Sequence, residues 1–341
     1  MHEDAIPIVP GLSVMPDNYN AKAIEVWQLI RSGLRQSGVV MLMYVLESNG
    51  SSPGRQGFSM AVTANGEMAG SIGGGIMEHK LVEMAKEHLR NDPDYSTVFL
   101  RKQVHDKAVA KDQSGMICSG DQTIAFCPLC TRDLATVEKV FQILKSAKNG
   151  IIQLSPAGLT FSEEAQETGY NYQYTSAVDW LFEAKTGPSN HLYIVGAGHC
   201  ALALTKLMSN LDFYIHLYDD RNSLPTMEQN IYAHEKEVIE NYGMLDTKIQ
   251  GGRNSYVVIM TVGYRTDDLV IRAMLQKQLA YLGVLGSKKK IEKLFSDYIA
   301  EGISKDLLDN IRAPIGLDIN SRTPEEIAIS IAAEIIQVKN R

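Results

Sequence analysis

The sequence predicts a two-domain α/β protein, with a mixed α/β domain at the N-terminus and a doubly wound parallel sheet at the C-terminus. Its 341 residues are enough for two domains of ordinary size. The stretch AKTGPSN at 184–190 combines Gly, Pro, Ser and Asn, as linkers do. Beyond it, apolar strands alternate with helical patterns, which is typical of a parallel sheet. We therefore predict one domain over 1–185 and a second over 190–341.

Apolar periodicity defines the elements of the N-terminal domain. Helices are predicted where apolar residues recur every three or four positions, and strands where the apolar run is continuous or alternating. The predicted order is a helix over 20–38, a strand over 39–47, a hairpin over 58–72, a helix over 76–90, strands within 96–130, a helix over 136–147 and short strands or hairpins over 150–175.

A glycine-rich loop, GSIGGGIMEH at 70–79, separates the hairpin from the second helix. Backbone amides at such a helix start bind anions. No Gly-Lys-Ser/Thr follows, so the loop is not a Walker A motif. Glu78 falls in the first helical turn, where it either complements the helix dipole or binds a ligand. The candidate cofactor-binding residues here are Gly70, Ser71, Gly73, Gly74, Gly75 and Glu78.

A second glycine loop opens the C-terminal domain. The pattern Gly196-x-Gly198-x-x-Ala201 follows an apolar run and precedes a helical pattern, as in the dinucleotide-binding fingerprint. Asp219 ends the next predicted strand, about 20 residues further on, where a carboxylate can accept a hydrogen bond from a ribose hydroxyl. A Rossmann-like fold is therefore predicted for this domain.

Further candidate residues lie beside this second loop and at a later strand end. His199 either faces a ligand or bonds locally, and Arg221 either meets a phosphate or pairs with Asp219. Gly286 and Ser287 follow another apolar strand and open a basic helix. Strand ends of this kind hold ligands in open α/β sheets, so these two residues form a second candidate anion site.

Composition limits the function classes. A formal net charge of -7 without a basic stripe argues against nucleic acid as a partner. No apolar run is long enough to span a bilayer, and the N-terminus does not resemble an export signal. We therefore expect a cytoplasmic protein that does not enter membranes and whose thiols stay reduced.

The cysteines offer one candidate metal ligand. Cys118 lies beside a glycine-containing loop and is either a soft ligand for a metal or a small buried side chain. Cys127 and Cys130 have CxxC spacing, but the second pair that a zinc site needs does not follow at suitable spacing. This pair either has redox chemistry or lines a strand end.

Four stretches together resemble the XdhC/CoxI family of accessory proteins for molybdenum hydroxylases. They are GSIGGGIMEH (70–79), GMICSG (115–120), YIVGAGHCA (193–201) and the tail IRAPIGLDINSRTPEEIAISIAAEI (311–335). The resemblance covers most of the chain and implies an N-terminal XdhC/CoxI domain followed by a Rossmann-like XdhC domain. CoxI-type relatives often carry Cys where this chain has Ile76, so a thiol ligand at that position is excluded.

The resemblance implies a maturation factor without catalytic residues of its own. Such proteins bind molybdenum cofactor, which is built on molybdopterin. They protect it while a cysteine desulfurase contributes to its sulfuration, and they deliver it to a xanthine-dehydrogenase-type apoenzyme. Glu78 would then bond the N–H edge of the pterin. An NAD(P)-dependent oxidoreductase and a nucleotide-binding regulatory protein stay open as alternatives, with NAD(P) or another nucleotide as the ligand. A homodimer is compatible with this type of protein.

Overall fold

The computed structural model of the chain describes residues 21–91, 97–104, 120–164, 169–211 and 213–341. These residues fall into two compact units. The N-terminal unit ends at Gly187, and the C-terminal unit runs from Pro188 to Arg341. The linker predicted over 184–190 is too long, because Ala184 is buried and pairs with Ile152 within a sheet.

The N-terminal unit begins with an antiparallel sheet and three helices. Its elements are α1 (Ala21–Gln36), β1 (Val39–Gly50), β2 (Ser59–Thr63), β3 (Met68–Gly70), α2 (Gly75–Asn91), β4 (Phe99–Val104), β5 (Gly120–Cys130) and α3 (Leu134–Lys145). The strand order is β3-β2-β1-β5-β4. The predicted helices and the hairpin over 58–72 are therefore confirmed.

Strand β1 is continuously apolar because both of its faces are covered. Alternate residues such as Leu42 and Tyr44 join the core that includes α1 and α3. The residues between them, such as Met41 and Met43, join the core under α2. Burial on two faces removes the alternation that a half-exposed antiparallel strand would show.

A second antiparallel sheet completes this unit. Its strands are β6 (Gly150–Ser155), β7 (Gly158–Ser162), β8 (Tyr170–Ser176) and β9 (Asp179–Thr186), in the order β7-β6-β9-β8. The strands predicted within 150–175 are confirmed, whereas β9 was assigned to no element. Its pattern does alternate, with Trp180, Phe182 and Ala184 all facing the core.

The C-terminal unit is built on a six-stranded parallel sheet. Its elements are β10 (His191–Val195), α4 (His199–Met208), β11 (Tyr214–Asp219), α5 (Pro225–Glu228), β12 (Glu235–Val238), α6 (Leu245–Lys248), β13 (Gly252–Ile259), α7 (Tyr264–Met274), β14 (Leu279–Val284), α8 (Lys288–Ala300), α9 (Lys305–Asp309), β15 (Ile311–Arg312) and α10 (Pro324–Lys339).

The strand order of this sheet is β12-β11-β10-β13-β14-β15, which is the doubly wound Rossmann order. The predicted fold class is therefore confirmed. The order reverses between β10 and β13, and ligands of such sheets bind at the carboxyl ends of the strands near this point. Within the described residues, no helix is long and apolar enough to cross a membrane.

Candidate functional site

The first glycine loop lies at one edge of the N-terminal sheet. Three chain segments meet there because the strands are antiparallel. Gly50 at the end of β1 pairs with Gly120 at the start of β5, and Gly70 at the end of β3 pairs with Met60 near the start of β2. This edge therefore brings together the loop over 51–58, the glycine loop over 70–75 and the first residues of β5.

The glycines of this loop have two different structural roles. Gly70, Gly73, Gly74 and Gly75 all have positive φ, a conformation that side chains rarely adopt. A Cβ atom on Gly70 would lie 2.2 Å from the Ser59 carbonyl oxygen, so this glycine allows close backbone packing. By contrast, a Cβ atom on Gly74 or Gly75 would meet nothing within 4 Å. These last two glycines therefore present an open backbone surface at the start of α2.

The Glu78 carboxylate is hydrogen-bonded to the backbone and a side chain of the first glycine loop. Its Oε2 accepts hydrogen bonds from Ser71 Oγ at 2.6 Å and from the amides of Ile72 and Gly74, both at 2.9 Å. Ser71 and Glu78 were both predicted to contact the cofactor, and in this structure they contact each other. The amides that were expected to hold a phosphate are therefore partly occupied by a carboxylate of the protein itself.

Gln122 links the glycine loop to the loop over 51–58, and sequence reasoning missed it. The buried side chain accepts at Oε1 from Ser52 Oγ at 2.8 Å and from the Gly54 amide at 3.2 Å. Its Nε2 donates to the Ile72 carbonyl at 3.4 Å. The only signal in the sequence is a glutamine at the start of an apolar run, which does not reveal these partners.

The cysteines do not form a site within the described residues. Cys118, the candidate metal ligand, lies outside them. Cys127 is buried in β5, and desolvation raises the pKa of its thiol to about 12. Cys130 lies three positions further along the same strand, so the two side chains point to opposite faces. Both thiols are free, and the described ranges contain no cluster of three metal-ligating side chains.

The second glycine loop has the geometry that its motif predicts. Gly196 has a φ of +105°, and a Cβ atom there would lie 2.3 Å from the Met260 carbonyl oxygen. Gly198 caps α4 and has open space where a side chain would stand. Ala201 is fully buried in the packing of α4 on the sheet. The loop therefore lies at the switch point of the sheet with its helix start uncovered.

Asp219 and Arg221 pair with each other beside this loop. Asp219 is fully buried, and its Oδ2 accepts from the Ala197 amide at 2.7 Å and from Arg221 Nη2 at 2.7 Å. Its Oδ1 accepts from the backbone and Nε of Arg221 at 2.9 and 2.8 Å. Of the two roles that the sequence left open for Arg221, the structure has the ion pair.

The other predicted residues of this edge are partly accessible. His199 is exposed in the first turn of α4, and Gly286 and Ser287 lie at the end of β14. Ser287 Oγ accepts from the Lys290 amide at 3.3 Å and so caps α8. Lys290 itself forms an ion pair with the buried carboxylate of Asp267, and is not a solvated lysine.

The fold and the two glycine loops define the class of the protein. It is an α/β protein with a mixed N-terminal unit and a Rossmann-type C-terminal unit, and each unit has one glycine loop.

Two family models match the chain. The model of the XdhC and CoxI family matches residues 34–97, and the XdhC Rossmann domain matches residues 192–335. Together they span more than half of the chain, in the order that the motifs predict. The chain belongs to the XdhC and CoxI family.

Two curated relatives are similar to this chain over part of their length. It is 24% identical over 302 residues to the uncharacterized protein YqeB of Escherichia coli K12, covering 87% of this chain and 43% of the relative. It is 27% identical over 167 residues to a protein of Bacillus subtilis 168 named as a probable component of xanthine dehydrogenase, covering 47% of this chain and 46% of the relative. The chain thus spans less than half of the length of either relative.

A solved structure has the same fold. A protein from Bacillus halodurans, described as a xanthine dehydrogenase, matches with a TM-score of 0.68 at 23% identity. The match covers 93% of this chain and 96% of that chain. At this level of identity, the likeness establishes the fold alone.

Proposed function

We propose that the protein binds molybdenum cofactor and assists its sulfuration and its insertion into a xanthine-dehydrogenase-type hydroxylase. One observation carries this proposal. Within the region matched by the XdhC and CoxI family model, a Cβ atom placed on Gly74 or on Gly75 would meet no heavy atom within 4 Å beyond its chain neighbours. Glycines held at positive φ beside open space are typical of a backbone surface that a ligand approaches closely.

The residues at this edge fit the organic part of the cofactor. Gly74, Gly75 and Glu78 would hold the pterin, and the first amides of α2 have no partner within the helix. Independently of the first loop, the C-terminal unit offers the amides at the start of α4, after Gly198, to an anion. When bound, the cofactor supplies the redox-active molybdenum centre of the hydroxylase. The part of this chain is to bind, orient and shield that group.

We propose Cys118 as a ligand for molybdenum or as an acceptor of sulfur. A cysteine thiolate is a soft metal ligand, and the resemblance to the XdhC/CoxI family associates Cys118 with the first glycine loop. The proposed partners are a xanthine-dehydrogenase-type apoenzyme and a cysteine desulfurase. The name of the Bacillus subtilis relative supports the first of these. A homodimer and a cytoplasmic location are part of the same proposal.

The alternative of an NAD(P)-dependent oxidoreductase finds less support in the geometry. Such an enzyme uses the acid at the end of the second strand to bind a ribose hydroxyl. Here the Asp219 carboxylate is fully buried and has four internal hydrogen bonds. A nucleotide-binding regulatory role meets the same obstacle.

Cofactor retention tests the proposal. The full chain is purified from cells that make molybdenum cofactor, and bound pterin and molybdenum are quantified by fluorescence and mass spectrometry. We expect both in the wild-type protein and a loss of at least tenfold in Gly74→Leu. Gly302→Leu is the matched control, since Gly302 also combines positive φ with open space. Absence of pterin from the wild type, or full retention in a folded Gly74→Leu variant, contradicts the proposal.

A further inference from the structure

Glu78 gives the first glycine loop a chemistry different from that of a phosphate-binding loop. Phosphate loops leave several backbone amides free to converge on an anion. In this loop the Glu78 Oε2 accepts from two backbone amides and from the Ser71 hydroxyl. The loop therefore already contains its own anion, supplied from the first turn of α2.

A phosphate at the same amides would meet two obstacles. It would have to displace three hydrogen bonds of 2.6–2.9 Å. If the carboxylate stayed in place, the two negative charges would lie within a few ångström and repel each other. The backbone of Ile72 has a second contact with the protein, because its carbonyl accepts from the buried Gln122 side chain at 3.4 Å. The arrangement thus disfavours a phosphate at this loop.

What the loop does offer is a hydrogen-bond acceptor beside a bare backbone surface. Glu78 is half-buried, and its second oxygen, Oε1, accepts from no group of the described residues. The open surface of Gly74 and Gly75 lies next to it in the chain. A carboxylate oxygen can only accept, so its complement is a group with N–H or O–H donors.

We infer that the first glycine loop recognises the N–H-bearing edge of a planar heterocycle, of the 2-amino-4-oxopyrimidine type found in pterins, and that Glu78 excludes phosphate from this loop. This inference rests on the proposed function in one respect: the heterocycle is taken to be that of the bound cofactor. It assigns the phosphate of the ligand to a place other than the amides of Ile72 and Gly74.

Two small probes separate the parts of the ligand. One is 6-methylpterin, which has the heterocycle but no phosphate, and the other is inorganic pyrophosphate. Binding of 6-methylpterin to the full chain is followed by quenching of pterin fluorescence, with pyrophosphate added as a competitor. For the wild type we expect saturable pterin binding that millimolar pyrophosphate does not displace.

Variants of Glu78 test the role of the carboxylate. Glu78→Ala removes the acceptor and frees the amides, so 6-methylpterin affinity should fall at least tenfold and pyrophosphate should begin to compete. Glu78→Gln keeps an acceptor oxygen without the charge, so its affinity for 6-methylpterin should lie between those of the wild type and Glu78→Ala. Glu83→Ala is the control, because it removes an exposed carboxylate from the same helix and should leave both probes unaffected.

The outcomes distinguish this inference from the proposed function. Pyrophosphate competition in the wild type, or unchanged pterin affinity in both folded Glu78 variants, overturns the inference. If the protein purified from cells nevertheless retains molybdenum cofactor, the proposed function stands without it. If the wild type retains no cofactor and binds no 6-methylpterin, both fail together.

Discussion

Arg221 holds the carboxylate of Asp219 in a bidentate pair, with Nε–Oδ1 and Nη2–Oδ2 distances of 2.8 and 2.7 Å. Burial alone would raise the pKa of Asp219, but the hydrogen bonds from Arg221 and from the Ala197 amide outweigh it and lower the pKa. The acid is thus ionised, fully paired and inaccessible. The Arg221 guanidinium therefore takes up an acceptor position on each oxygen of this carboxylate, which a ribose diol would need in order to bind.

Removing the Arg221 side chain should therefore increase the affinity for NAD(H). For the wild type we expect no saturable binding of NAD(H) below about 1 mM, which corresponds to a binding free energy weaker than about -4 kcal/mol. In Arg221→Ala, each oxygen of Asp219 loses one of its two hydrogen bonds and can accept from a ribose hydroxyl. The affinity for NAD(H) should then rise at least about tenfold, or about 1.4 kcal/mol. Isothermal titration with NADH measures both.

Arg253→Ala is the control for this titration, because Arg253 is exposed at the amino-terminal end of β13, far along the strand from the glycine loop. It should bind NADH no better than the wild type. Micromolar binding of NADH by the wild type would contradict the prediction and favour the oxidoreductase alternative.

His234 should make the stability of the C-terminal unit depend on pH. Its ring is 2% exposed, stacks on Tyr214 and accepts at Nδ1 from the Ile215 amide. Burial, and secondly the nearby His216, lower its pKa from 6.5 to about 4, with Glu235 opposing the shift. The unfolded chain therefore binds more protons between these values, so the free energy of unfolding falls as the pH drops from about 6.5 to 4.

The variant His234→Asn isolates this contribution, since Asn Oδ1 can replace the acceptor Nδ1 without titrating. Between pH 7 and pH 4.5, it should lose about 2 kcal/mol less stability than the wild type. Urea denaturation followed by far-ultraviolet circular dichroism measures this difference. His79→Gln, at an exposed position on α2, should keep the wild-type slope. Equal slopes in His234→Asn and the wild type would show that His234 is not the group responsible.

Local patterns were enough to predict most of the fold. The apolar run of β10, the glycines after it and the acid that ends β11 follow one another closely in the chain, so the parallel unit could be recognised. Strand β9 was missed although Trp180 and Phe182 alternate with more polar residues, because no turn residue separates it clearly from the linker. Such a boundary depends on pairing with β6 and β8, which are distant in sequence.

The site residues were predicted by type but not by partner. The spacing that brings Asp219 to the second glycine loop is the same whether the carboxylate accepts from a ribose or from Arg221. Glu78 likewise occupies the first helical turn in either role. Gln122 could not be found, because its partners Ser52 and Ile72 lie in loops whose proximity results from the strand register. Residues that are close in the sequence could therefore be recognised as motifs. Which of their polar atoms stay free to bind a ligand depends on hydrogen bonds that the sequence does not show.

The CxxC pair should not behave as a redox pair. Residues three apart in a strand have Cα atoms roughly 10 Å apart, beyond the reach of a disulfide. Since burial raises the pKa of Cys127 to about 12, its thiol stays protonated at neutral pH. Iodoacetamide at pH 8 should alkylate the partly exposed Cys130 at least about tenfold faster than Cys127, as measured by peptide mass spectrometry.

Alkylation in urea is the control for this experiment, because both thiols should then react at similar rates. A disulfide between Cys127 and Cys130 after mild oxidation of the folded protein would contradict the prediction, as would equal alkylation rates in the absence of urea.

Replacing Gln122 should destabilise the N-terminal unit through hydrogen bonds rather than through packing alone. In Gln122→Ala, the Ser52 hydroxyl and the Gly54 amide lose their acceptor in a buried place. Leaving buried polar groups unpaired costs about 1–3 kcal/mol. Both tryptophans of the chain, Trp27 and Trp180, lie in the core of this unit. Urea denaturation followed by tryptophan fluorescence therefore reports on the affected unit.

Two further variants separate this explanation from a general loss of volume. Gln173→Ala removes an exposed glutamine from β8 and should change stability by less than about 0.5 kcal/mol. Gln122→Glu keeps the size of the side chain. When protonated, it can still donate and accept, but when ionised it is a buried charge without a donor for the Ile72 carbonyl. Burial raises the pKa of such a carboxyl, so the stability of this variant should fall as the pH rises from 5 to 8. If Gln122→Glu were as stable as the wild type at both pH values while Gln122→Ala was destabilised, side-chain volume, and not the hydrogen bonds, would make Gln122 important.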